Sequence, residues 1–384
     1  MAPTRRPTYP LAHSFRSKRR RLPLVLRVAK GAIHSIIIIP VTLHSLFTVL
    51  VVYLDRYVTG SVGLPSTIIP SLSIVVGLML VFRNSTSYDR FWTGRNCLTT
   101  INTSVRNLAR IILVNARPKN SNLNGNGSSM GDSALGESSA GIGITDSERR
   151  DTDKIIRVLV AILYAIKHNL RAEFNIPPAS LAKDSGITTS SPQNALSRRN
   201  SLAEESGIHT AEEEYISLLP DGLMGFEDQG LGLPLQLTIF LESYIRRGFD
   251  RSWFHAPLAS QMSVQVNSLV DAYGRMETIR STPIPIAHLI HQKQVLALFT
   301  CVLPFAIVDD YGWWSIPIVA IVAFTLYGIE GIGQQLEDPF GYDRNDIKMD
   351  GIIEDTRQEI SVLLDEWKAS TEGRAERALG GMFE

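Results

Sequence analysis

Cysteine is nearly absent from this 384-residue chain, with Cys97 and Cys301 standing alone. Two thiols so far apart support neither a disulfide framework nor a cysteine-based zinc site, and both read as reduced structural residues. The spaced motifs of common catalysis are also missing: there is no GxSxG, no HExxH, no P-loop, and no GxGxxG after a strand-like run. An enzyme is not expected, and neither is a cofactor or a bound metal. His288 and His291 have helical i, i+3 spacing, but two imidazoles without a carboxylate or thiolate beside them do not define a metal centre. Acid is absent before Asp55, although Arg5, Arg6, Arg16, Lys18, Arg19, Arg20, Arg21, Arg27 and Lys30 all precede it. Charge of either sign is absent from residues 71–82.

The formal charge is balanced at 38 basic and 38 acidic residues, so the average conceals this asymmetry. A basic, acid-free arm over residues 1–30 admits a mitochondrial presequence, a nucleic-acid arm, or positive residues that hold a first membrane span's N-terminal end in the cytoplasm. The third reading is favoured because residues 31–54 supply about the twenty apolar positions a transmembrane helix needs. A cleaved signal fits poorly with so long a run. Arg19, Arg20 and Arg21 beside a span suit orientation and anionic lipid better than nucleic acid. His34 and His44, within the span, read as structural histidines.

A turn-rich connection with Gly60, Gly63 and Pro65 follows, so residues 31–83 form a first transmembrane hairpin. Residues 84–118 continue as a cytoplasmic amphipathic helix, with Leu98, Ile101, Val105, Leu108 and Ile112 in register. Residues 119–150 are rich in Ser, Gly and Asn, a composition that reads as a disordered insertion. Helix returns over 151–178, capped at Asp151 or Thr152, with Ile155, Leu159, Ile162 and Ile166 on one stripe and Pro177 and Pro178 at its end. A second polar insertion, 179–214, carries SRRNS at 197–201, a weak phosphorylation pattern that reads more plainly as solvated loop. Residues 215–285 hold further cytoplasmic helices, at 235–248 and 257–279. Residues 286–333 form a second transmembrane hairpin, turning at Asp309, Asp310, Tyr311 and Gly312, with Trp313 and Trp314 as interfacial aromatics. Residues 334–384 form a cytoplasmic C-terminal segment. The expected class is an all-α membrane protein with four spans in two hairpins, a large cytoplasmic helical region, and both termini cytoplasmic. The plasma membrane is favoured over a mitochondrial or other internal membrane.

The most informative stretch is 68–95, where an apolar span passes without a breaker into polar sequence. One helix that leaves the hydrocarbon and continues into water suits a narrow dry passage joined to a wet vestibule. Ile74, Leu78 and Phe82, spaced i, i+4, i+8, share a stripe beside small Ser73 and Gly77. On spacing alone that stripe reads first as packed core; the junction and the resemblance below are what favour a channel.

FRNSTSYDRFWTGR at 82–95 closely resembles the signature following the second span of bestrophin-family ion channels. A second block is similar too: PIP at 283–285, His291, LPF at 303–305, Gly312, Trp313, the run 327–333, EDPFG at 337–341, then Asn345 and Asp346. The resemblance implies a helical pentamer around a central pore and passive permeation of anions, chiefly chloride, among membrane lipids. Carried over by position, it makes Ile74, Leu78 and Phe82 the hydrophobic neck. Arg83, Asn84, Ser85, Thr86, Tyr88, Asp89 and Arg90 become the vestibule signature, and Glu337, Pro339, Phe340 and Gly341 a C-terminal motif. Animal members carry a calcium-binding acidic run after PFG, whereas residues 342–346 here read YDRND, with two carboxylates and Arg344 between. Calcium regulation is therefore not expected. A cation-permeable relative and a membrane-anchored scaffold are the competing functions.

Overall fold

Apolar sequence inside a membrane satisfies its backbone polar groups by closing hydrogen bonds within each segment, and every extended element among the described residues is helical. The computed structural model describes residues 33–60, 62–115, 146–172, 230–343 and 345–371, with isolated positions at 218, 219, 223 and 226. The expectations for residues 1–30, for 119–145, for 179–214 with its SRRNS pattern, and for Arg344 lie outside the described residues.

The helices are α1 (His34–Leu54), α2 (Ile68–Asn115), α3 (Asp146–Arg171), α4 (Leu233–Asp250), α5 (Ala256–Ser281), α6 (Ile286–Tyr311), α7 (Ser315–Glu337) and α8 (Met349–Thr371). They divide between two compact units. One holds residues up to Asn96 together with Arg275–Ile347, and the other holds Cys97–Gly274 and the residues from Lys348 onward. Three stretches are long and apolar enough to cross a membrane, namely Ile36–Val58, Ile68–Asn115 and Ile286–Glu337. The third is continuous by composition but broken in structure. Gly312 takes φ +51°, a left-handed value that favours glycine, and a short 3-10 turn, Gly312–Trp314, separates α6 from α7.

In the first unit, α6 and α7 fold back on each other. Leu303 and Ile307 of α6 meet Val319 of α7 near the turn, and Leu296 and Phe299 meet Val322, Leu326 and Tyr327 further from it. Apolar residues of α2 complete both clusters, Ile69 at the turn end and Val76 and Leu80 below. α1 lies close along α7 because Gly331 admits it: a Cβ there would stand 2.8 Å from Ile33 Cγ2. α1 ends in a widened turn, Asp55–Thr59, closed by Gly60 at φ +65°, whose N–H donates to Asp55 O at 2.9 Å. Gly63 then passes hard against the Asp309 carboxylate, and the Leu64 N–H donates to Phe305 O.

In the second unit, α3 is the central helix. The expected stripe Ile155, Leu159, Ile162 and Ile166 is buried, and so are Ile156, Val160 and Leu163 beside it, because α4 and α8 both pack on it. The distal part of α2 contributes Leu98, Ile101, Val105, Leu108 and Ile112, all essentially inaccessible. α3 starts at Asp146, ahead of the expected cap at Asp151 or Thr152. Thr152 is an interior residue whose Oγ1 bonds Glu148 O and pairs with the Tyr244 hydroxyl at 3.0 Å. α8, which the sequence reading left as an unspecified C-terminal segment, docks Ile353, Ile360, Leu364 and Trp367.

Candidate pore-lining helix

α2 has two contrasting faces. Val76, Leu80, Arg83, Ser87 and Gly94 recur at helical spacing on the buried face. The opposite stripe begins with Ile74, Leu78 and Phe82, which are 70%, 55% and 60% exposed, and continues through exposed Ser85, Asp89, Trp92 and Asn96. Packed core of this chain is thereby excluded for Ile74, Leu78 and Phe82 among the described residues. Small Gly77 beside them faces open space, with nothing within 4 Å of a built Cβ. Lipid can cover the apolar part of such a stripe, as it can the exposed faces of α1 and α7; what sets α2 apart is that its stripe continues on the same face into exposed polar residues, as the lining of a conduit does.

The polar signature divides between the two faces. Ser85, Thr86, Tyr88 and Asp89 are exposed; Thr86 Oγ1 donates to Phe82 O at 2.9 Å, and Tyr88 stacks on Trp92 with ring centroids 6.4 Å apart. Arg83 points the other way. Its side chain is 2% exposed, packs over Gly333, and donates from Nη2 to Glu337 Oε2 at 2.7 Å. Asn84 Nδ2 reaches back to Leu80 O and across to Ile329 O. Arg90 ties two helix ends together. Its Nε donates to Glu337 O, closing α7, while Nη1 and Nη2 donate to Thr282 O and Ile279 O at the end of α5. Carbonyls at helix C-termini lack intrahelical partners and carry partial negative charge, so a guanidinium is the fitting cap.

The C-terminal motif sits against this clasp. Phe340, 1% exposed, lies under Gly94, where a Cβ would come within 2.9 Å of its ring. Gly341 faces Asp346, with a built Cβ only 2.8 Å from its Oδ2. Asp346 is buried and accepts the Asp343 N–H at 2.6 Å, while the Ile347 N–H donates to Pro339 O. The Asp346 carboxylate thus belongs to the turn. His288 and His291 are both exposed, and among the described residues no three potential metal-ligating side chains converge. Sequence reasoning held Ser87, Gly94 and Gly333 inside its motif blocks without giving them a place, and it missed the α5 carbonyls. Helical phase from Leu80 would have found Ser87, and a glycine inside a helix, as at Gly94, signals close packing.

These features define an integral membrane protein of the all-helical class, built around one helix that carries an uncovered stripe. The family model described as Bacterial/Fungal Bestrophin protein matches residues 13–362, and the chain belongs to that family. It is 31% identical over 306 residues to a voltage-dependent anion channel-forming protein of Synechocystis sp., covering 79% of this chain and 78% of that one. It is also 31% identical over 335 residues to a protein of the same description from Nostoc sp., covering 87% and 89%. Among solved structures it resembles a bacterial bestrophin homologue from Klebsiella pneumoniae, with TM-score 0.59, 20% identity, and 85% and 98% of the two chains covered. At that identity the likeness speaks to fold.

Proposed function

We propose that the chain is a subunit of a passive anion channel, with chloride its principal ion. The observation that carries this reading is the uncovered stripe of Ile74, Leu78 and Phe82 running directly into Ser85 and Asp89 on one helix. The relatives named as anion channel-forming proteins support it, and the family is one of channels rather than enzymes. Five copies set α2 around an axis, and the apolar residues form a neck that an ion enters only by shedding water, so the path closes by dewetting. The Phe82 ring edge, partially positive, eases an anion more than a cation. α1, α2, α6 and α7 are four spans in two hairpins, with both termini cytoplasmic as the basic arm favours, and the plasma membrane is the proposed location.

Replacing Ile74, Leu78 and Phe82 together by Ala is the test, read by single-channel recording beside a thermal melt. A raised open probability and weaker discrimination between ions, with the melting temperature of the monomer fold little changed, is expected. Unchanged gating and selectivity with a large fall in melting temperature would refute the pore assignment. Reversal potentials in asymmetric chloride, nitrate and sodium salts separate anion from cation permeation, and an assembled protein without flux would point to a scaffold.

A further inference from the structure

Leu43, Leu46, Phe47, Val49, Leu50 and Tyr53 of α1 line an open groove of 540 Å³, joined among the described residues by His44 and Cys301. That volume falls in the range of small-molecule sites, roughly 300–1,000 Å³. Leu43, Leu46, Leu50 and Tyr53 are exposed at its rim, within a helix long and apolar enough to cross a membrane; with that helix in a bilayer, the opening faces lipid chains.

Cys301 is not an isolated thiol. His44 is 3% exposed, and its Nδ1 stands 3.9 Å from Cys301 Sγ. The other ring nitrogen, Nε2, lies 2.9 Å from the Tyr327 hydroxyl and 3.1 Å from Thr300 Oγ1. Thr300 directs its own hydroxyl proton to the carbonyls of Leu296 and Ala297, and so serves His44 as an acceptor. With the ring proton on Nε2, toward Thr300, Nδ1 offers its lone pair to the thiol. Stacking on the Tyr327 ring, with centroids 5.6 Å apart, fixes the imidazole plane. A base held on a nucleophile, itself oriented by a third group, is the arrangement that activates thiols.

We infer that this groove, lined by the Cys301–His44 pair, is a covalent capture site for an α,β-unsaturated aldehyde chain of the kind that lipid oxidation produces. The apolar walls hold the alkyl tail. Sγ attacks the β-carbon, an S–C bond forms as the C=C opens, and the thiol proton passes through His44 Nδ1 to the α-carbon. The product is a thioether; nothing leaves and no oxidant is consumed. The inference stands apart from the channel reading.

The full chain in phosphatidylcholine liposomes, treated with trans-2-nonenal and mapped by peptide mass spectrometry, tests it. A single adduct at Cys301 is expected, with Cys97 unmodified. His44→Gln is expected to slow it on the order of tenfold or more, as loss of a general base does. Leu46→Trp, which fills the groove from an exposed rim position without touching the pair, is expected to slow it as well. An unmodified Cys301, an unchanged rate in both variants, or equally fast labelling by a sulfonated water-soluble maleimide would overturn the inference.

Discussion

Arg83 and Glu337 form the most consequential pair of side chains in the first unit, because one charge is buried and the other nearly so, at 2% and 18% exposure. Removing one member of such a pair strands the other without water or partner. Glu337→Gln is expected to cost roughly 3 kcal/mol, and adding Arg83→Met to the same chain is expected to recover part of that loss. A thermal-melt double-mutant cycle checks it, and additive losses would show that the two side chains do not act as a pair. The sequence made the signature visible but not its division. Arg83, Asn84, Ser85 and Thr86 are four polar residues in a row, and only helical phase sends Arg83 inward and Ser85 outward. That phase was available from Leu80, but a run of polar residues reads as one solvated wall until the buried partner Glu337, far away in sequence, is known.

At the scale of elements, periodicity was a reliable guide where it was unbroken. The stripe Ile155, Leu159, Ile162 and Ile166 found α3, and the glycines and prolines found the turns around α1, α6 and α7. α8 escaped because its stripe of Ile353, Ile360, Leu364 and Trp367 is interrupted by buried Thr356, among many charges. Those charges hold it in place. Burial resists ionisation of Asp350, but the Arg171 guanidinium, by bond and charge, and the Lys167 ammonium bring its carboxyl down to about 2. The hydrogen bond from Arg357 outweighs burial at Glu354, and with help from Gln358 and Tyr164 holds it at about 2 as well. A carboxyl depressed in the folded state contributes stability above its ordinary value, near 4, and loses it as pH falls through the folded value. α8 is therefore expected to loosen between pH 4 and 2, and sooner in high salt because both side chains are part-exposed. Fluorescence of buried Trp367, isolated by comparison with Trp367→Phe, reports this; a signal flat to pH 2 would contradict it. Gly94→Val, which drives a side chain into Phe340, is expected to cost about 1–3 kcal/mol in the same melts.

For the whole molecule, the proposed channel reading makes an assembly of several copies around the α2 stripe the functional unit. Deleting residues 119–145, a segment poor in apolar anchors, is expected to leave the oligomer intact by light scattering coupled to size exclusion; monomers or aggregates would assign that segment a structural part. Current in bilayers is expected to persist in chelator, because Asp346 is engaged in its own turn. Reversible loss of current on chelation, abolished by Asp343→Ala with Asp346→Ala, would reverse that expectation.

α2 also has a mechanical consequence. Arg83 and Arg90 grip it at two points about two turns apart, so within the first unit it can neither roll about its own axis nor slide along it. Ser85 and Asp89, between the two grips, are thereby clocked onto the face that Ile74, Leu78 and Phe82 begin.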